Sequence, residues 1–420
     1  MAIAKPFCGI RYSPENAGDL ALLTAPPYDQ ISTELQKELY FRHPLNIVRL
    51  ILGLDQPGDN EGKNKYTRAK QAFESWFANN ILIQDPTPSL YLYEQQFIIY
   101  EKRYNRTGFI SLVQVEPFEK HIVLPHEKIL PKPFEDRKRL LKETGVHFES
   151  IFLLYPDKDG YTLNAKQQVM QNIPIMELVD DNNVLHRVWT LSDSSLVEKL
   201  IQFWEPLQFF IADGHHRYNT AIECSPFCLA TLFCLEDPNL VILPTHRLVR
   251  NLDCFDMRLF IEKASQYFEI KGPGSIDELL NALAMVRQYN RYGYGVVVKE
   301  GFCLLVLRDG VDLKQFNPEG ASKLSIQLDV SILHQILLGQ ILGIDGEKVK
   351  NGEHIEYIRW PMNALEKVET GEAQIAFLLN SAKIEQVRDI ALANETMPEK
   401  STDFYPKLLS GLVMSRPDIF

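Results

Sequence analysis

The sequence predicts a mixed α/β, or α+β, protein of two or three domains. Three observations point there. Apolar runs with strand character alternate with amphipathic helical stretches, without a regular period, an internal repeat or a low-complexity tract. The composition, 45% hydrophobic and 24% charged, is that of an ordinary globular protein. At roughly 150 residues per domain, 420 residues exceed what one core organises.

The N-terminal stretch is rich in turn formers. Proline fixes φ and biases the residue before it away from helix, so APPYDQIS (25–32) makes an extended approach to Asp29. Asp29 or Ser32 then caps a helix through Leu35 and Leu39. NIVRLILG (46–53) reads as a buried strand. YTRAKQAFESWFANN (66–80) is helical, with Ala69, Phe73, Trp76 and Phe77 on one face. SLYLYEQQFIIY (89–100) and YNRTGFISLVQVEPF (104–118) form a hairpin across the polar EKR. The stretch 124–145 begins as a loop and ends as a helix. Strands follow at 150–157, 186–193 and 207–212, then the helix RYNTAIECS and a strand at 227–237.

A break falls near residue 250. Beyond it, DMRLFIEKASQYF and SIDELLNALAMVRQY are helical, and YGVVVKEGFCLLVLRDG (294–310) is a hairpin turning at KEG. LDVSILHQILLGQILGI (328–344) is an apolar helix, EAQIAFLLN (372–380) a strand, and KIEQVRDIALAN (383–394) a helix with Ile384, Val387 and Ala391 inward. The remainder, ETMPEKSTDFYPKLLSGLVM (395–414), is polar and irregular, but its prolines and aromatics indicate a segment that is tied down.

The formal net charge is -11, which argues against broad binding to nucleic acid or to anionic membranes. No apolar stretch is long enough to span a bilayer, and the N-terminus has no signal-peptide h-region, so a cytoplasmic protein is expected. Cys224, Cys228 and Cys234 do not have zinc-ribbon spacing and read as reduced, largely buried residues.

FFIADGHHRYNTA (209–221) carries the densest chemistry. A strand running directly into a helix presents backbone N–H groups and the positive end of the helix dipole, both of which favour an anion. Gly214 permits close backbone approach, and His215, His216 and Arg217 add donors suited to phosphate. Asp213 would repel a phosphate unless a cation lay between, so it either caps the helix or ligates Mg²⁺. The plainer alternative is a capped helix with exposed histidines. In LPHEKIL, Glu127 beside His126 is a candidate general base, with a solvated loop glutamate as the alternative. In MPEKSTDFYPK, Lys400, Ser401 and Thr402 form a cluster of phosphate donors, with Lys407 nearby. No Walker A, GxGxxG or HExxH motif is present.

With these motifs, PFCGIRYSPENAGDL, APPYDQIS, NIVRLILG, LYLYEQQF, LPHEK, IADGHHRYNTA and MPEKSTDFYPKLLSGLV together resemble the family known as domain of unknown function 1015, over essentially the whole chain. That family supplies no activity. A more distant resemblance does. PHE, then DGHHR opening a helix, then GEAQIAFLL and a lysine–Ser/Thr loop are similar to the ADP-dependent serine kinases of the ParB/sulfiredoxin-like superfamily.

The resemblance implies a ParB/sulfiredoxin-like nucleotide-binding domain over 1–250, a smaller α/β domain over 251–394 and a segment, 395–420, returning to the site. It implies Glu127 as catalytic base with His126 and Asp213 beside it, and Gly214, His215, His216 and Arg217 as the phosphate site. Asp213 would be the magnesium ligand, and Lys400, Ser401 and Thr402 would bind substrate; Asp29, on its proline-set approach, is a further candidate for the pocket, with a helix cap as the alternative. The chain departs from those kinases in its greater length, in a large insert between Glu127 and Asp213, and in the acidic Asp403 of the loop. The expected activity is phosphoryl transfer from ADP or ATP, with Mg²⁺, to a small hydroxyl-bearing metabolite such as free serine. Two rivals are a non-catalytic nucleotide-binding switch and a metal-dependent hydrolase using His126, Asp213, His215 and His216.

Overall fold

A computed structural model describes residues 1–127, 131–317 and 321–417. The chain forms two compact units. The first comprises Met1–Val241 with Pro406–Phe420, and the second comprises Ile242–Tyr405. The division therefore lies earlier than residue 250, and only the part of the C-terminal stretch from Pro406 onward belongs to the first unit.

In the first unit, Ser32 accepts from the Leu35 N–H and starts helix α1 (Thr33–Arg42). NIVRLILG does not form a strand. Val48–Ile51 is a short buried helix, α2, set by Asn46, whose side chain accepts from the Val48 N–H and donates to two carbonyls. A short apolar run carries no period that separates helix from strand. Helix α3 (Lys65–Ala78) has an Asn64–Thr67 capping box and buries Ala69, Phe73 and Trp76.

The main sheet is built from β1 (Leu90–Ile99), β2 (Lys102–Gln114), β3 (Val123–Leu124), β4 (Ile151–Tyr155), β5 (Met176–Val179), β6 (Leu185–Leu191), β7 (Phe209–Asp213) and β8 (Phe227–Cys234). Its order is β3-β7-β4-β8-β2-β1-β6-β5, with Ala4–Lys5 as a ninth strand beside the end of β2. Among the described residues of this sheet, only β7–β3 and β8–β4 are parallel. The β1–β2 turn places Tyr100 and Glu101 at positive φ. Helices α4 (Pro131–Thr144), α5 (Ser194–Trp204) and α6 (His215–Cys224) complete the frame. Trp204 is fully buried against Phe109 and Tyr155 within one apolar core. A burial of this size stabilises by roughly 2–3 kcal/mol.

The second unit has a six-stranded antiparallel sheet made of β9 (His246–Val249), β10 (Phe268–Lys271), β11 (Gly293–Val298), β12 (Gly301–Leu307), β13 (Ile355–Ile358) and β14 (Ile375–Leu379). The order is β10-β12-β11-β14-β9-β13. Helices α7 (Met257–Ala264), α8 (Ile276–Gln288) and α9 (Ile384–Leu392) accompany it. The apolar stretch expected as one α-helix becomes a four-residue α-helical turn, Asp329–Ile332, followed by a π-helical run, Leu333–Ile341. Among the described residues, no helix is long and apolar enough to cross a membrane.

Candidate functional site

Strand β7 delivers the site. Phe209, Phe210, Ile211 and Ala212 are buried, and the register against β4 shifts between Ile211 and Asp213, which re-aims the acid at the strand's end. Gly214 then sits at φ 96, left-handed, and α6 begins at once without a side-chain cap. Any Cβ at Gly214 would also meet the Arg217 guanidinium at 3.2 Å. The first N–H groups of the helix have no intrahelical acceptor, so this end favours an anion.

Asp213 is not the helix cap. Its Oδ1 accepts from Lys407 Nζ at 2.7 Å and its Oδ2 from Arg217 Nη2 at 2.7 Å. Burial works against its charge, but Lys407 and Arg217 outweigh burial and hold the carboxyl well below the usual range. Arg217 also donates to the Ser150 carbonyl at 2.6 Å. Its Nε is buried without a hydrogen-bond partner among the described residues, a donor that an anion would satisfy.

The expectation that Asp213 ligates Mg²⁺ does not fit this geometry. Both of its oxygens are engaged by cations, whose charge would repel a metal ion on the same carboxylate. Among the described residues, no group of three or more His, Cys, Asp or Glu is arranged to hold a metal, so the hydrolase reading lacks its ligand set.

His126 and His215 pack edge to face with ring centroids 4.8 Å apart. His126 Nδ1 lies 2.8 Å from the Ile211 carbonyl, so Nδ1 carries the proton. The His126 backbone N–H donates to His215 Nε2 at 3.3 Å. His215 therefore carries its proton on Nδ1, which faces Glu127 Oε2 at 3.7 Å. Burial pushes His126 down to about 4 and His215 well below its ordinary value, with the neighbouring His126 adding to the effect on His215. Both are neutral at pH 7. His216 follows in the first turn and is half-buried.

Further charged groups lie beside Arg217. Ser32, not Asp29, caps α1, and Asp29 sits in the 3₁₀ turn Tyr28–Gln30. The charges of Glu149, Asp213 and Asp29 raise Arg217 above its ordinary value against the effect of burial. Glu149 accepts from the Tyr28 N–H at 3.0 Å and from Ser410 Oγ at 3.2 Å, and pairs with Arg137 at 3.5 Å. The Arg137 guanidinium covers the Tyr28 ring at 4.0 Å.

The structure thus brings together His126, Glu127, Asp213, Gly214, His215, Arg217 and, through its charge, Asp29. Lys400, Ser401 and Thr402 belong to the second unit. Ser401 is buried and its hydroxyl donates to the Pro398 carbonyl at 2.5 Å, so it is spent on a local turn. The lysine that reaches Asp213 is Lys407. Glu149 and Arg137 carried no sequence signal, because nothing in their local patterns separates them from surface residues, whereas Tyr28 lies within APPYDQIS but had no role assigned.

The family described as a protein of unknown function (DUF1015) matches residues 4–331. The chain belongs to that family. The family's description states no activity, and no curated protein matches the chain. Solved structures similar to it include a conserved hypothetical protein from Pyrococcus furiosus, at 13% identity and TM-score 0.35 over 71% of this chain and 90% of that one. A free serine kinase in complex with AMP is similar at 12% identity and TM-score 0.36, over 71% and 87%. SbnI with a C-terminal truncation, from Staphylococcus aureus, is similar at 9% and 0.36, over 72% and 86%.

Proposed function

We propose that the first unit seats the terminal phosphates of ADP or ATP at the start of α6 and transfers a phosphoryl group to a hydroxyl acceptor such as free serine. One observation carries the reading: Glu127, distant in sequence, stands 3.7 Å from His215 in the first turn of the helix that would hold the phosphates. Phosphoryl transfer asks the protein for alignment and for positive charge, not for covalent chemistry. Asp213, Arg217 and Lys407 together leave one net positive charge beside the helix start, and His126 and His215 are neutral.

In the proposed step Glu127 takes the proton of the acceptor hydroxyl. The acceptor oxygen forms its bond to the terminal phosphorus as the bond to the bridging oxygen breaks. The shortened nucleotide leaves with that electron pair. His215 Nδ1–H faces Glu127 across 3.7 Å, and closing that gap would let it orient the carboxylate. Asp213 holds Lys407 and Arg217 ready for phosphate. No step is routed through a metal.

The test is a turnover assay with purified protein, ADP or ATP, and a panel of free amino acids. Glu127→Gln should bind nucleotide but lose product by about 10²–10⁴-fold. Normal turnover by Glu127→Gln would overturn the role of the base. Nucleotide binding without any acceptor-dependent product in the wild-type protein would favour the switch reading instead.

A further inference from the structure

The C-terminal stretch returns to the first unit as a strap, and its anchors lie across one face of the main sheet. The Pro406 carbonyl accepts from Arg106 Nη2 at 2.6 Å. The Lys407 carbonyl accepts from Gln95 Nε2 at 2.9 Å. Arg106 Nη2 also donates to Gln95 Oε1. Register explains the alliance: Gln95 on β1 and Arg106 on β2 are directly opposed, so their side chains share a face. Two residues along β1, on the same face, Tyr93 Oη receives the Leu409 N–H at 3.5 Å. Ser410 then pairs with Ala25 through the backbone.

Arg106 is fully buried, with its guanidinium 4.7 Å from the Phe152 ring and 4.8 Å from the Phe233 ring. Phe152 is the β4 partner of Asp213 in the strand register. The cage that fixes the guanidinium plane is therefore built on the strand that also abuts the site. Burying a cation is costly, and a neutral amide would suffice to tether a strap. A planar fork clamped between two rings adds something an amide does not: a rigid direction for the carbonyl it holds. One residue beyond that carbonyl, Lys407 reaches Asp213 at 2.7 Å.

We infer that Arg106, with Gln95, is a positioning residue that fixes the backbone of Pro406–Lys407 and so places the Lys407 ammonium at the Asp213 site. Its consequence for phosphate binding rests on the nucleotide reading above; the positioning itself does not.

The test measures how fast Lys407 is acylated, by mass spectrometry of the full chain, in the wild-type protein, Gln95→Glu and Arg106→Lys. Gln95→Glu keeps an acceptor for Arg106, gives that cation an ionic partner, and replaces the N–H given to the Lys407 carbonyl with an oxygen that repels it, so it tests the contact where Arg106→Lys does not fold. The exposed Lys37 and Lys199 report general effects on reactivity or stability. The inference predicts that Lys407 labelling rises about tenfold, as expected when its charge-assisted bond to Asp213 loosens, with Lys37 and Lys199 unchanged. Wild-type labelling of Lys407 in folded Gln95→Glu would overturn it. This readout needs neither nucleotide nor turnover, so failure of the kinase proposal leaves it standing.

Discussion

Arg106 in the first unit and Arg247 in the second are both fully buried, and burial pushes both down to about 10. Each lies on a strand of its unit's sheet, and each donates to backbone carbonyls of the C-terminal stretch. Arg247 gives its fork to the carbonyls of Thr245, Glu399 and Lys400, beside the Tyr357 ring at 5.2 Å. The outcomes differ. The strap held by Arg106 sends its lysine, Lys407, onto a buried carboxylate. The loop held by Arg247 leaves Lys400 at φ 54, exposed, and without an ion pair among the described residues. Left-handed backbone at a non-glycine residue costs on the order of 1–2 kcal/mol, and the two carbonyl bonds on either side of Lys400 offset it. The same device serves two ends: in one unit it loads a site, in the other it braces a turn.

The strongest way to break this comparison is to remove both arginines in turn. Arg106→Ala and Arg247→Ala should each destabilise their own unit by roughly 3 kcal/mol, because buried carbonyls lose their donor at about 1–3 kcal/mol each. Denaturant unfolding of the two transitions checks this. Only Arg106→Ala should also weaken ADP binding; equal losses in both variants would mean that the two clamps play the same part.

Gly214→Ala comes next. It forces a Cβ into left-handed backbone and against Arg217, at a cost of about 1–3 kcal/mol, and should abolish nucleotide binding measured by calorimetry.

Acid sharpens the comparison further. Burial holds His126 down to about 4 in the first unit and His246 down to about 3 in the second. Both are neutral in the fold, and the unfolded chain takes up protons first. Their stabilisation is therefore complete above about pH 6.5 and is lost as pH falls, on the order of 2 kcal/mol each at pH 5. His126 donates through Nδ1 to Ile211, whereas His246 accepts at Nδ1 from the Leu379 N–H at 3.1 Å. His126→Asn keeps a donor for Ile211 and should reduce the pH dependence of the first unit's melting temperature, with buried His147 and His215 supplying the remainder, and leave the second's unaltered.

Tyr93→Phe should have the smallest effect, about 1 kcal/mol by denaturant unfolding, since it removes the bond to His186 Nδ1 at 2.7 Å and the long one to Leu409.

Much of this was legible in the sequence because the deciding signals were local. The apolar run ending at Asp213, the glycine after it and the helical period beyond it specify a strand, a left-handed turn and a helix start within a dozen residues. The hairpin turn at Tyr100–Glu101 and the Asn64 capping box are local in the same way. What escaped is non-local or has no period. NIVRLILG carries no period that separates helix from strand, so only its setting, with Asn46 bonded to the carbonyls of Leu22 and Thr24, makes it a helix. The π-helical run has the composition of an ordinary helix. Lys400 stood out by its neighbours Ser401 and Thr402, yet Lys407 reaches Asp213 because Arg106 and Gln95, some three hundred residues earlier, hold its backbone. Asp213 beside an anion-favouring helix end called for a cation; the chain supplies Lys407 and Arg217 where a metal was expected.

The central claim is that Glu127, the β7–α6 turn and Lys407 form one seat for a nucleotide's terminal phosphate. A crystal structure of the full chain with ADP tests it most directly. The account predicts the terminal phosphate at the backbone N–H groups of His215 to Arg217, within reach of Lys407 and facing Glu127. Nucleotide bound elsewhere on the chain, with the Asp213–Lys407 pair untouched, would contradict it.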